Sequence, residues 1–290
     1  MGMSFIPLHV YSGFSYLQSG LTTKKIASLA KKRGYLYCGL TDNGTLSGFA
    51  PFYHQASKEG VKPVLGMDVQ LEIGTLSLFV KNEEGYRNIL NINHAIVNGV
   101  LDLDTILSNS KGLIAVYPLE CSTIRDKSEK EFASLLYKYT NKFDKTLLGI
   151  PFGEESKDLA TWGRKFAEAY SYLPVAFPHI LYEKKDDAIV LDIVKAISDK
   201  TYLENTSSVG YSYFPEEDEI KSFYTEEEIE NSYKVAISCK KFELIQKRGT
   251  LLRFENELGL PSDEYLRKLA NNFMFNFYDT YNYKMKGNYD

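Results

Sequence analysis

Cysteine is scarce in this sequence of 290 residues. The three cysteines, Cys38, Cys121 and Cys239, are too few and too scattered for a disulfide framework or a CxxC zinc knuckle. A reducing compartment is the simpler inference, and we therefore expect a cytoplasmic protein.

Long apolar runs and a strong excess of one charge are also lacking. No apolar run reaches the roughly 18 residues that a membrane span needs, and the first residues lack the charged-then-apolar order of a signal peptide. The net charge of −4 excludes a strong overall attraction to nucleic acid or membrane. Hydrophobic residues make up 44% of the chain and charged residues 25%, so we expect a soluble globular protein without a membrane partner.

Three apolar runs near the start of the chain each lead to residues that can bind a cation. Segments with helical spacing separate the runs, which predicts the order strand, helix, strand, helix, strand. Side chains at the carboxyl ends of parallel strands converge, so we expect one common site. The runs are 5–10, 35–41 and 61–67, and the polar residues are His9 with Tyr11, Asp42 with Asn43, and Asp68.

The same alternation continues to about residue 200 and predicts an α/β domain over 1–200. About seven parallel strands interleaved with helices indicate a barrel or an open doubly wound sheet, and the length of the chain favours the barrel. The later strands are expected at 76–80, 113–117, 147–152 and 174–177, with one more helix over 188–197.

The pattern of apolar and polar residues changes after residue 200. Residues 201–224 are polar and aromatic without a clear period, which predicts an irregular connection. Thr225 and Glu228 then have the spacing of a capping box at the start of a helix. Ser262 is expected to cap a last helix, so residues 225–290 are predicted to form a helical extension.

Five ordered blocks of sequence are similar to motifs of the polymerase and histidinol phosphatase (PHP) domain, as found at the start of bacterial DNA polymerase III alpha subunits. The resemblance extends from about residue 4 to about residue 268. It implies a distorted seven-stranded, TIM-like βα barrel with a metal site at the carboxyl ends of the strands. The blocks are FIPLHVYSGFS (5–15), GLTDNG (39–44), FY (52–53), KPVLGMDV (62–69) and KNEEGYRNIL (81–90).

The site positions that the resemblance implies depart from those of a metal-binding member of the family. Such a member has His-x-His after the first strand, Asp-His after the second and an acid, usually Glu, after the third. A His, a Cys and a final Asp-x-His complete its ligand set. The corresponding positions here are His9, Tyr11, Asp42, Asn43, Asp68, Thr75, Leu119, His179 and Leu181, with Cys121 near Leu119.

These departures predict a weakened metal site. A multinuclear phosphoesterase centre needs enough imidazoles and carboxylates to hold two or three cations, and Leu and Thr cannot replace imidazole. We expect no catalytic residue and no cofactor, or at most one Zn²⁺ or Mn²⁺ at a vestigial site. The residues left for that ion are His9, Asp42, Asp68 and His179.

Ordinary structural roles remain open for the same residues. His9 can pair with Asp42 or Asp68, because buried polar groups are normally hydrogen-bonded. Asp42 can instead cap the turn that follows it through Asn43.

The resemblance implies a catalytically inactive structural domain of a DNA-directed DNA polymerase, which is a nucleotidyltransferase. The palm carboxylates are absent from this sequence, and the Mg²⁺ that they bind would belong to the full protein. We expect the extension to end before or at the start of the palm. The implied partners are the polymerase palm and thumb, DNA through the full protein, and a proofreading exonuclease or another replisome subunit. Two alternatives stay open: a metal-dependent phosphoesterase or 3'-5' proofreading exonuclease with a reduced site, and a docking module for a replication partner.

Overall fold

A computed structural model describes residues 5–202, 210–239 and 256–286. The chain divides into two compact units, Met1–Phe242 and Glu243–Asp290. The first unit contains a six-stranded sheet whose strands lie side by side in chain order. They are β1 (Tyr37–Leu40), β2 (Lys62–Leu71), β3 (Gly74–Val80), β4 (Leu113–Pro118), β5 (Lys145–Ile150) and β6 (Leu173–Ala176).

Helices lie between most of the strands and continue after the last one. The first seven are α1 (Thr23–Lys32), α2 (Phe49–Glu59), α3 (Glu83–Val97), α4 (Leu103–Ser108), α5 (Glu129–Thr140), α6 (Lys157–Ala169) and α7 (Ile189–Asp199). They are followed by α8 (Glu217–Phe223), α9 (Glu226–Ser238) and α10 (Ser262–Lys286). A short 3-10 turn, Leu119–Cys121, directly follows β4.

Local sequence signals explain where several helices begin and end. The Thr22 side chain accepts a hydrogen bond from the Lys25 N–H at the start of α1. Gly60 ends α2 with φ 79°, a left-handed conformation that favours glycine. At the start of α9, Thr225 and Glu228 form the predicted capping box.

The sheet is mixed, which corrects the prediction of an all-parallel arrangement. Strand β3 runs antiparallel to both β2 and β4, whereas the other neighbouring pairs are parallel. Only Glu72 and Ile73 join β2 to β3, and a parallel connection needs about a dozen residues or more. Gly74 then adopts φ 106° in the tight turn. The reversal places Asp68 directly opposite Ser77.

The segment predicted as the first strand does not form one of the regular strands, but its backbone bonds on both sides. The Thr41 N–H donates to the Val10 carbonyl at 3.0 Å, next to the end of β1. On the other side, the Ile180 N–H donates to the His9 carbonyl at 2.9 Å, and the Tyr11 N–H donates to the Ile180 carbonyl at 3.0 Å. The start of the chain is thereby fixed beside the segment that follows β6.

The core of the first unit lies between the sheet and its helices. Val235 and Ala236 of α9 are buried in the same cluster as residues of the sheet. The Glu228 side chain on α9 is 1% exposed and pairs with Arg164 of α6 at 2.7 Å. Helix α9, which the sequence places in the C-terminal extension, therefore packs within the first unit.

Part of the predicted irregular connection is helical, because α8 lies within 201–224. Glu216 and Glu219 form a capping box at its start, and Ile220 is its one buried residue. A seven-residue helix with one buried position gives no visible apolar period, so the pattern missed it. Residues 203–209 of the predicted connection lie outside the described residues.

The described part of the second unit contains the predicted last helix. Helix α10 begins at Ser262, the residue predicted to cap it, and has Asp263 and Glu264 in its first turn. Residues 240–255 of the predicted extension lie outside the described residues. Among the residues that the structure describes, no helix is long and apolar enough to cross a membrane.

Candidate metal centre

Three separate segments bring His9, Glu120 and His179 together. His9 lies on the first backbone segment, Glu120 lies in the 3-10 turn after β4, and His179 lies in the segment after β6. One ligand atom from each residue lies within 4.8 Å of the others. Within residues 5–202, 210–239 and 256–286, this is the one group of at least three such side chains close enough to share a cation.

The atoms that face one another in this group are not hydrogen-bonded. Glu120 Oε1 lies 4.0 Å from His9 Nδ1 and 3.7 Å from His179 Nδ1, which is too long for a hydrogen bond. His9 Nδ1 and Glu120 Oε1 are buried without a hydrogen-bond partner, and so is Nε2, the other ring nitrogen of His179. Buried polar atoms normally have a partner, so this arrangement fits a bound cation.

The imidazole rings are held by stacking. The His9 ring stacks on Phe177, with the centroids 4.6 Å apart, and on His179, with the centroids 4.1 Å apart. Burial, together with the neighbouring His9, holds the pKa of His179 well below its usual range. His179 is therefore neutral at physiological pH, which is the form that binds metal ions.

The surroundings of Glu120 raise the pKa of its carboxyl group. Burial raises its pKa from 4.5 to about 7, against a lowering effect of His9, while Asp68 raises it further. The side chain as a whole is 25% exposed, but its Oε1 is buried. A cation at this site would compete with the proton for the Glu120 carboxylate.

Two imidazoles and one carboxylate form an acceptable donor set for one Zn²⁺ or Mn²⁺. The set supplies three protein ligands, and water can complete the coordination. The donor types therefore suit a single ion, and binding through both imidazoles would require one of the two stacked rings to tilt, because the lone pairs lie in the ring planes.

Asp68 contacts the same group through His9, and hydrogen bonds occupy its carboxylate. Oδ2 accepts from His9 Nε2 at 2.7 Å and from the Tyr11 hydroxyl at 2.6 Å. Oδ1 accepts from the Ser77 hydroxyl. Burial and the charge of Asp68 raise the pKa of Tyr11 well above its usual value, so Tyr11 remains a hydroxyl donor.

Asp42 organises the loop that follows the first segment. Its carboxylate accepts from the Ser12 N–H at 2.6 Å and from the hydroxyls of Ser12 and Ser15, both at 2.7 Å. Burial raises the pKa of Asp42, and the bonds from the two serines oppose that effect. The carboxylate of Asp42 therefore holds the loop of Ser12 and Ser15, not the turn after Asp42 that the sequence left open as its role, and Asp42 is not a member of the His9, Glu120 and His179 group.

The other positions implied by the resemblance make local contacts. The Asn43 amide pairs with Gln18 and Gln70, and the Thr75 hydroxyl also pairs with Gln70. Leu119 is fully buried, and the Leu181 carbonyl accepts from the Gly20 N–H. Of the nine predicted positions, the structure brings together His9, Tyr11, Asp68 and His179.

Sequence reasoning missed Glu120. The residue lies at the carboxyl end of a predicted strand, the same signal that selected His9, Asp42 and Asp68. The resemblance instead directed attention to its two neighbours, Leu119 and Cys121. An inspection of every acidic residue after a strand would have included it.

Comparisons with known proteins give consistent matches. A family model described as "PHP domain" matches residues 7–208. The DNA polymerase III subunit alpha of Bacillus subtilis (strain 168) is 27% identical over 292 residues, covering 92% of this chain and 26% of that protein. The DNA polymerase III subunit alpha of Borreliella burgdorferi is 34% identical over 131 residues, covering 38% of this chain and 11% of that protein. This chain thus spans about a quarter of the length of the first relative and less of the second.

Among solved structures, a two-domain protein from Bacteroides vulgatus is described as containing a predicted PHP-like metal-dependent phosphoesterase. It aligns with a TM-score of 0.41 at 12% identity, covering 61% of this chain and 52% of that chain.

Proposed function

Because this chain belongs to the PHP domain family, we propose that it serves as the PHP domain of a bacterial replicative DNA polymerase alpha subunit. The match to the Bacillus subtilis subunit over 92% of the chain supports this proposal. DNA synthesis, the palm and thumb, and binding to DNA would then belong to the larger protein. The role of this domain is to support the polymerase body rather than to catalyse hydrolysis.

We propose a seven-stranded barrel over residues 1–200, in which the first segment takes the place of the seventh strand. The bonds of Val10 to Thr41 and of His9 to Ile180 support this arrangement, because they link the first segment to both sides of the sheet. The chain after the first unit would then connect, in sequence, to the palm of the larger protein.

A single observation favours a structural site over a hydrolytic one. The described residues contain one group of three candidate ligands, each with a buried nitrogen or oxygen atom that has no hydrogen-bond partner. The other two carboxylates, Asp42 and Asp68, are occupied by hydrogen bonds. Hydrolysis by a multinuclear centre needs further ligands for a second cation and its bound hydroxide. The residues therefore favour at most one ion.

His9, Glu120 and His179 would hold this ion. When bound, Zn²⁺ or Mn²⁺ would supply Lewis acidity and positive charge. The three residues come from the start of the chain, the end of β4 and the segment after β6. Their common ion would brace these segments against one another.

Metal analysis of the purified full chain tests the proposal. We expect no more than one Zn²⁺ or Mn²⁺ per chain by elemental analysis, and this ion should be lost in His179→Ala. His54→Ala is the matched control, because His54 is an exposed histidine on α2. The control should retain the metal content of the unchanged chain.

A nucleotide-release assay separates the structural role from the enzymatic alternative. We expect no nucleotide release from single-stranded DNA when Mn²⁺ or Zn²⁺ is added. Two or three tightly bound ions, or hydrolysis that is lost in a folded His9→Ala variant, would instead establish a phosphoesterase or exonuclease.

A further inference from the structure

We propose that Asp68 is a positioning residue for His9 rather than a metal ligand. In this arrangement, Asp68 holds the proton of His9 on Nε2 and leaves the lone pair of Nδ1 free on the side of Glu120, whose Oε1 lies 4.0 Å away. The inference rests on the proposed single-ion site and specifies how that site is prepared.

The surroundings of Asp68 leave little room for a metal bond. The residue is fully buried, and both carboxylate oxygens accept hydrogen bonds. His9 and Tyr11 share Oδ2, at 2.7 and 2.6 Å, while Ser77 donates to Oδ1. Coordination of a cation by Asp68 would require at least one of these donors to leave.

The proton on His9 follows from the chemistry of its partner. Both oxygens of Asp68 accept hydrogen bonds, from the Tyr11 and Ser77 hydroxyls, so His9 Nε2, which lies 2.7 Å from Oδ2, donates to it as well. In a neutral imidazole, the other nitrogen, Nδ1, then carries the lone pair. Nδ1 is also the nitrogen that is buried without a partner, 4.0 Å from Glu120 Oε1.

Stacking and hydrogen bonding together fix the orientation of the His9 ring. Phe177 and His179 lie parallel to the ring and set its plane. Asp68 sets the rotation of the ring within that plane, because it holds one edge of the imidazole. A carboxylate that binds the second nitrogen of a metal-binding histidine fixes its tautomer and typically changes metal affinity 10- to 100-fold when removed.

Two arrangements of the site therefore predict different metal-binding nitrogens on His9. If Asp68 positions the ring, the ion binds Nδ1 and the hydrogen bond from Nε2 to Asp68 remains. If Asp68 is itself a ligand, the ion lies near Asp68 and replaces the proton on Nε2.

Imidazole ¹⁵N NMR of the full chain distinguishes these arrangements. The chain has four histidines, and the signals of His9 can be identified by their loss in His9→Ala. In the metal-free protein, we expect a protonated Nε2 and an unprotonated Nδ1. Addition of Zn²⁺ should shift the Nδ1 signal strongly and leave Nε2 protonated.

Each other outcome has a definite meaning. A proton on Nδ1 in the metal-free protein, or Zn²⁺ bound to Nε2, would overturn the role of Asp68. If neither nitrogen responds to Zn²⁺, the proposed metal site fails, but the metal-free spectrum still decides which nitrogen Asp68 protonates.

Zinc affinity in Tyr11→Phe provides a second measurement in which the two roles predict opposite signs. If Asp68 is a positioning residue, loss of the Tyr11 hydroxyl loosens the carboxylate, so zinc binding becomes weaker. If Asp68 is a ligand, the same change frees Oδ2 for the ion, so zinc binding becomes tighter. Tighter binding would therefore overturn the inference.

Tyr35→Phe is the matched control for this substitution. Tyr35 is also buried, and its hydroxyl has no hydrogen-bond partner in the described structure. Its removal should leave zinc affinity unchanged. Asp68→Asn should weaken zinc binding about 10- to 100-fold while the chain remains folded, as measured by competition with a chelator.

Discussion

The rings of His9 and His179 lie nearly parallel, with their centroids 4.1 Å apart and their planes 9° apart. Two positively charged imidazoles in this arrangement would repel each other, which agrees with the lowered pKa of His179. The two rings belong to segments at opposite ends of the sheet, and Glu120 lies beside both. The site therefore forms where the two ends of the sheet meet.

Metal removal should destabilise the protein. A ligand that binds the folded state at 100 times its Kd stabilises it by about 2.7 kcal/mol. For a domain of this size, we expect Zn²⁺ to raise Tm by about 5 to 10 °C, and a chelator to reverse the effect. His179→Ala should remove the response to Zn²⁺, whereas the exposed control His54→Ala should keep it. An equal response in both variants would place the stabilising ion elsewhere.

Without metal, the pKa of Glu120 should make stability depend on pH. Its pKa in the folded protein is about 7, above the usual 4.5, so the folded state binds the proton more tightly than the unfolded state. This contribution is fully present below about pH 4.5 and is lost as the pH rises through about 7. Urea unfolding in a chelator, measured from pH 5 to pH 8, should show a shallower decline for Glu120→Gln. Identical slopes for the two proteins would exclude this role of Glu120.

The ion pair between α6 and α9 should contribute strongly to stability. Arg164 donates to the two oxygens of Glu228 at 2.7 and 3.0 Å, and the Glu228 side chain is 1% exposed. Arg164→Met leaves this carboxylate buried without its cation and should lower the free energy of unfolding by about 3 kcal/mol. Lys157→Met, at an exposed ion pair on the same helix, should change it by less than about 1 kcal/mol. Equal losses would contradict this explanation.

The turn between β2 and β3 should not tolerate a side chain at Gly74. This residue has φ 106°, and an added Cβ would lie 2.2 Å from the Cys121 carbonyl oxygen. Gly74→Ala should therefore lower the free energy of unfolding by about 2 kcal/mol or more, as measured in urea. Gly60→Ala is the control, because Gly60 has φ 79° but nothing within 4 Å of an added Cβ. It should cost about 1 kcal/mol, and an equal cost at Gly74 would mean that the turn can adjust.

Local signals in the sequence predicted much of the fold. The capping box of Thr225 with Glu228 is present in the structure, and α10 begins at Ser262, the residue predicted to cap it. These features depend on contacts between residues close together in the sequence, so a local pattern is sufficient to identify them. The direction of β3 depended on the length of a turn, and the prediction overlooked that two residues are too few for a crossover.

The site was less accessible to sequence reasoning than the fold. The resemblance identified His9, Asp68 and His179, but it gave no information on which atoms of Asp68 were already bonded. That information depends on Ser77 and Tyr11, which reach Asp68 through the sheet register and the path of the first segment. Glu120 was missed because the resemblance pointed to its neighbours Leu119 and Cys121, although Glu120 directly follows a predicted strand, as the other candidate ligands do.

The hairpin of β2 and β3 has a consequence for the order in which the chain folds. Ser77 is nine residues from Asp68 in sequence, so this pair can form as soon as the hairpin closes. We expect His179 to join His9 later, because the entropy cost of closing a long loop precedes a contact so distant in sequence. A cation held by both histidines would then act after the rate-limiting step. It would lengthen the lifetime of the native protein by slowing its unfolding, and leave the rate of folding nearly unchanged.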